Sequence, residues 1–423
     1  MSMCDTVAGE LIISFAKEDE AALALIEDIR AEKIGHVAYI ESLEDKVRRM
    51  ELIADPVIDH EFHRVRVPYG QEQWKVTYLQ FFYKTKMLGF GAETDVDRFL
   101  EFHSYSVNQF NVGPNYLLSL ASKVSASDVR STDFSFSACH EEYKKMLGMP
   151  SKAPDIRRVS IIVMDTGIAD DLNPNRSGNR NFVDPARSGI VTDDHGHGTV
   201  IARIIEEIAP GVSLTIYKVA DADGRASEWD LLAALSTFSS APVVNISLAY
   251  GLEDRKCKTC GRESHSSRSL AFESLITSSI KQGGPILVSA AGNLGDNCLA
   301  YPARFAQLIA VGSINSHYAL SPFSNYGAED QEGKAHENHY VLPGGDNSYA
   351  APESIGGYGK KDQQWGTSFA TAYATGIVAN RIANAGITTY DREATLGLLR
   401  NSALTKSLQN YSIEKHGYGL MQI

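Results

Sequence analysis

The sequence predicts an α/β protein built on a mainly parallel sheet with helices on both faces, preceded by a small α+β domain. Two observations predict it. From Val159 onward, short apolar runs alternate with helical patterns, the texture of strands buried on both faces of a parallel sheet. Before residue 131 the chain instead mixes amphipathic helical spacing with an aromatic, β-rich stretch, which suits a separate and smaller module. The expected division is therefore 1–130 and 131–423.

In the first part, Leu11 to Phe15 reads as a strand, and Ala22, Leu25, Ile26 and Ile29 then recur at helical spacing. Gly35 ends that helix, Val37 to Ile40 is a second strand candidate, and Ser42 with Asp45 opens a second helix whose apolar face is Leu43, Val47 and Met50. Residues Phe62 to Phe90 carry the β-rich pattern, and Ser125 to Ser137 is the linker candidate. In the second part the strand candidates are Val159 to Met164, Val212 to Val219, Val243 to Leu248, Ile286 to Ala290 and Leu308 to Val311. Helices are expected from near His197, Ser227, Ser267 and Ser368.

Composition bounds what such a chain can do. Of its 423 residues 43% are hydrophobic and 22% charged, which allows a large core and excludes a disordered or fibrous chain. No apolar run reaches the roughly 18 residues of a spanning helix, and the best candidate, Leu11 to Ala16, stops at Lys17, so no membrane partner is expected. The first ten residues hold Asp5 and Glu10 without Lys or Arg, unlike a secretory signal, and a cytoplasmic location is expected. Five cysteines, an odd number, fit a reducing compartment. A net charge of −12 argues against nucleic acid as a partner.

Ligand sites of open α/β sheets form at the carboxyl ends of strands, so those ends and the following helix starts come first in the search. They hold Asp165, followed by Thr166 and Gly167, and Asn293 after Gly292. They also hold His197, ahead of Gly198 and Thr199, and Ser368, between Thr367 and Phe369. A serine hydroxyl needs a base within hydrogen-bond reach to become a nucleophile at neutral pH, and that base needs a carboxylate to fix its tautomer. Ser368, His197 and Asp165 supply those three groups, and the Asn293 amide can donate to an oxyanion.

With these residues in this order, the chain resembles the subtilisin-like serine proteases, or subtilases. The likeness rests on Val163 to Gly167, His197 to Thr199, Asn245 to Leu248, Ala290 to Asn293, Tyr301-Pro302 and Gly366 to Ala370, and it closes on Gly417 to Leu420. It spans about residues 137–423 and implies a serine endopeptidase of the subtilisin-like fold. Asp165, His197 and Ser368 would be its charge-relay residues and Asn293 its oxyanion donor, with protein or peptide as substrate and no cofactor required.

The resemblance also implies a substrate cleft between Gly224-Arg225-Ala226 and Ser247-Leu248-Ala249, where an extended substrate adds a strand. Ala249 and Ala300, where relatives often carry Gly, lead us to expect a small or medium apolar side chain at P1, the residue whose carbonyl is cut, the other reading being that the backbone absorbs the methyl groups and large residues still fit; Ala290 is a further expected cleft residue. Asp193 and Asp194 either attract a basic residue beside P1 or cap their own loop. The insertion at Cys257 and Cys260 has zinc-knuckle spacing, with His265 or Cys298 as further ligand candidates, but it lacks a second pair. A redox pair and plain reduced thiols remain its other readings, and no acidic loop names a calcium site. The N-terminal part fits either a prodomain that chaperones folding and then blocks the cleft, or a domain that binds a regulatory partner or recruits substrate. The alternative to an enzyme is a latent binding or signalling subunit that keeps the protease fold.

Overall fold

The computed structural model describes residues 6–16, 56–61, 67–69, 73–75, 80–87, 111–120, 123–125, 131–150, 159–172, 178–237, 241–250, 269–280, 284–330, 332–348, 352–359, 363–384 and 391–423. The expected helices between Ala22 and Met50, the strand at Val37 to Ile40, and Cys257, Cys260 and His265 lie outside them. The first described helix is preceded by strands β1 (Thr6–Ala16), β2 (Pro56–Glu61), β3 (Val67–Tyr69), β4 (Gln73–Lys75), β5 (Gln80–Met87), β6 (Asn111–Leu120), β7 (Lys123–Ser125) and β8 (Ser131–Phe136). Then follow α1 (Ala138–Met146), β9 (Ser160–Asp165), β10 (Arg180–Asn181), α2 (His197–Ile208), β11 (Ser213–Lys218), β12 (Arg225–Ser227), α3 (Glu228–Thr237), β13 (Val243–Ile246) and β14 (Leu248–Tyr250). The chain ends with α4 (Leu270–Ile280), β15 (Ile286–Ala290), β16 (Ile309–Ile314), β17 (His339–Pro343), β18 (Gly356–Gly359), β19 (Gln363–Trp365), α5 (Thr367–Asn384), α6 (Arg392–Ser402) and α7 (Ile413–His416).

The apolar runs form a seven-stranded parallel sheet in the order β10-β11-β9-β13-β15-β16-β17. Strands in such a sheet lose both faces to packing, which is why β13, β15, β16 and β17 are buried at every position. From β9 the chain continues to β10 and β11 on one side and later to β13 on the other. The order therefore reverses around β9, and Asp165 sits at that switch point.

Two helices bring the remaining groups there. In α2, Val200, Ile201, Ile204, Ile205 and Ile208 form a buried face, and α5 is buried on all sides from Thr367 to Asn380, as a helix passing through a core must be. The two pack closely because Gly376 has no side chain: a Cβ there would lie 2.6 Å from Ile208 Cγ2.

The second sheet is antiparallel, in the order β12-β6-β1-β5-β2, with β14 also on β6. It departs from the sequence expectations in two ways. The apolar run Val243 to Leu248 divides at Ser247, so that β13 stays in the parallel sheet while β14 turns out to pair with β6. In addition, the linker candidate contains β8, paired antiparallel with β18. Its alternation of Asp133 and Ser135 with Phe134 and Phe136 supports a strand as readily as a linker, since serine is tolerated where one face is polar.

Candidate active site

The functional side chains owe their positions to close backbone approaches. Helix α2 begins on Gly196, at φ 94°, and its second residue is Gly198. A Cβ at Gly198 would come 2.3 Å from the Gly167 carbonyl oxygen, so only glycine lets the helix start press against the turn after Asp165. His197 is thereby held with Nδ1 2.7 Å from Asp165 Oδ1, and the same carboxylate oxygen accepts from the Thr166 N–H at 2.8 Å. The Phe369 ring, centred 5.2 Å from the imidazole, packs against it.

Asp193 is the anchor of this corner. Its carboxylate is buried and accepts from Thr166 Oγ1 at 2.8 Å, from the His195 and Gly196 N–H groups at 3.1 and 2.7 Å, and from Thr199 N and Oγ1 at 2.8 and 2.6 Å. Burial alone pushes its pKa up, but these bonds together hold it below the ordinary carboxylate value. Asp193 thus caps its own loop, while Asp194 pairs with Lys218 Nζ at 3.1 Å.

Ser368, His197 and Asp165 are all 0% exposed. Ser368 Oγ donates to the Ser247 carbonyl at 3.0 Å, and His197 Nε2 is buried with no hydrogen-bond partner among the described residues. Asn293 is fixed at its oxygen, which accepts from the N–H and the hydroxyl of Thr367, both at 2.9 Å. Its amide nitrogen is buried and has no partner among the described residues, so a donor stays free beside the start of α5. Helix N-termini favour developing negative charge. Nearby, Ala249, Ala290 and Ala300 pack into one small apolar cluster.

The family model described as the subtilase family matches residues 157–419. The chain belongs to the subtilase family. Subtilisin BL of Lederbergia lenta is 30% identical over 181 residues, which are 40% of this chain and 61% of that protein. An alkaline proteinase of Hapsidospora chrysogena is 32% identical over 238 residues, 56% of this chain and 55% of its own. The subtilase spans about half the length of the curated relatives it matches, from 43% to 62%. A solved structure titled as the epidermin leader peptide processing serine protease of Staphylococcus aureus shares the fold over 98% of this chain and 96% of its own, with a TM-score of 0.61 at 18% identity.

The expected cleft residues of this subtilase are occupied by its own chain. Strand β6 lies between the two expected edges: Leu118 stands opposite Ala226 and Tyr250, and Ser119 opposite Arg225 and Ala249. The Leu120 N–H donates to the Gly224 carbonyl at 3.1 Å, and Leu120 faces Leu248. Leu118 is buried in the cluster that contains Trp229, Leu232 and Tyr250. Beyond the cleft, β7 pairs with β19, Lys123 opposite Trp365, three residues before Ser368. Strand β6 is nearly silent in the sequence. The period-two spacing of Tyr116, Leu118 and Leu120 was its signal, masked by Gly113 and Pro114. Of the zinc ligand candidates, Cys298 is among the described residues and accepts from Arg304 Nη1 at 3.1 Å.

Proposed function

We propose that this subtilase is a serine endopeptidase acting on protein substrates, and that its N-terminal segment fills the cleft until the chain cuts itself between Ala121 and Ser122. The double pairing of β6 with β12 and β14 carries this reading. A strand registered on both cleft edges lies as an added substrate strand does. Leu120 is registered on Leu248 and Lys123 on Trp365, three residues before Ser368, and the proposed cut is assigned to the sequence between them. Alanine at P1 also suits the small cluster of Ala249, Ala290 and Ala300.

The chemistry follows from the groups in place. Ser368 Oγ leaves the Ser247 carbonyl to attack the substrate carbonyl carbon, and His197 Nε2, which has no other partner among the described residues, takes its proton. Asp165 holds the tautomer and faces the imidazolium that forms. The oxyanion accepts from Asn293 Nδ2 and from the Ser368 N–H. His197 returns the proton to the leaving amine, and water, deprotonated by the same imidazole, hydrolyses the acyl-enzyme.

The test is the mass of the purified full chain beside Ser368→Ala. The expected outcome is fragments meeting at Ala121–Ser122 in the active chain and an intact Ser368→Ala chain. Ala121→Phe should slow the cut by about 10-fold or more, the effect of overpacking by ~1–3 kcal/mol, and Ala249→Gly should restore it. The complete burial of the triad favours one other reading, a latent binding subunit. Equal intact masses, with no labelling of Ser368 by a fluorophosphonate, would establish that reading instead.

A further inference from the structure

Strand β12 ends at Ser227 because α3 begins at Glu228, yet β6 continues upstream past that point. Along one edge of β6 the ladder runs in steps of two. Leu120 N–H donates to the Gly224 carbonyl, and Leu118 stands opposite Ala226. The next donor on that edge is the N–H of Tyr116, and it goes to the side chain of Glu228, two residues beyond Ala226. A carboxyl group therefore stands where the missing strand would have offered a carbonyl.

The setting of Glu228 fits this role. It is 0% exposed and has no ion-pair partner among the described residues, a costly state for a carboxylate. Ser269 donates its hydroxyl to Oε1 and fixes the group, while Tyr250, in edge-to-face contact with Tyr116 at 5.5 Å, completes the surround. Burial pushes the carboxyl pKa up to about 8, so at neutral pH it is held largely as the uncharged acid, whose carbonyl oxygen is an acceptor like that of a peptide.

We propose that Glu228 is a specificity-determining residue: its carboxyl receives the peptide N–H of the sixth residue upstream of the cut bond. The cleft thereby selects extended segments long enough to present that N–H, and it disfavours proline at that position. The inference rests on the reading that substrates bind as β6 does. Its first test is independent of catalysis.

Residue-resolved hydrogen exchange on the full chain carrying Ser368→Ala reads the Tyr116 amide directly. Glu228→Leu should speed exchange at Tyr116 by at least about 10-fold while the Leu118 and Leu120 amides change little. Glu228→Gln, which keeps an acceptor oxygen, should retain the protection. Unchanged Tyr116 exchange in Glu228→Leu, equal loss in both variants, or loss spread evenly along β6 would each overturn the assignment. The second test uses peptide substrates of the active chain, N-methylated at the sixth or the fifth upstream residue. The sixth-position block should reduce kcat/KM about 10-fold, and Glu228→Leu should abolish the difference. If no peptide is cut at all while the Tyr116 amide behaves as stated, the endopeptidase reading fails and the contact stands.

Discussion

Replacing Asp193 tests how the catalytic corner is held together. Asp193→Ala removes the acceptor of the buried Gly196 and Thr199 N–H groups, of the half-buried His195 N–H, and of the Thr166 and Thr199 hydroxyls. The hydroxyls can turn to other acceptors, and Thr166 Oγ1 already lies 3.3 Å from Asp165 Oδ1. The two buried N–H groups cannot turn, and each costs roughly 1–3 kcal/mol when left without a partner, so the expected loss is about 4 kcal/mol. Asp193→Asn keeps one acceptor oxygen but turns an NH₂ toward donors, and about 2 kcal/mol is expected to be lost. Urea titration followed by circular dichroism measures both, on the full chain with Ser368→Ala so that no cutting intervenes. Because Asp193 bonds next to both Asp165 and His197, the same substitutions in the active chain should slow self-cutting. A loss below ~1 kcal/mol for Asp193→Ala would refute the view that this carboxylate assembles the corner.

Two further outcomes follow from the site and the core. Asn293→Ala removes one donor to a developing charge, worth about 1.5–3 kcal/mol, so self-cutting should slow roughly 10- to 150-fold in a gel time course with the fold unchanged; a rate within twofold of the parent would remove Asn293 from the oxyanion site. Burial pushes His339 down to about 3 and His140 down to about 4, and it lowers His336 and His416 as well. His339 and His140 therefore stay neutral in the fold well below pH 6.5, where they charge once unfolded. Stability should therefore be full above that pH and fall toward pH 4 by up to ~1.4 kcal/mol per pH unit for each group, against a smaller opposite trend from Glu228. A urea midpoint that stays level from about pH 7 to pH 5 would contradict this.

Much of the parallel-sheet half was legible because strands buried on both faces must be apolar throughout, and β9, β11, β13, β15 and β16 fall on the expected runs. Strand β17 escaped notice: only Tyr340, Val341 and Leu342 lie between His339 and Pro343, too short a run to separate from a loop. The chemical groups could be found one by one, since each sits at a strand or helix end. Their support could not, because Asp193 shows its role only once Thr166, Gly196 and Thr199 converge on it. The pairing of β6 with β12 and β14 was hidden for the same reason. Pairing between Leu118 and residues more than a hundred positions away leaves no local pattern.

The passage of β6 from the N-terminal sheet into the cleft also bears on how the protein responds to dilution. While the chain is continuous, this strand meets its cleft at the high effective concentration of a tethered partner, and occupancy is independent of how much protein is present. Under the proposed cut, one broken bond would convert that closure into an ordinary association between two molecules, which weakens as the solution is diluted. The onset of activity after cutting would then be set by protein concentration, slow where the chain is abundant and early where it is scarce.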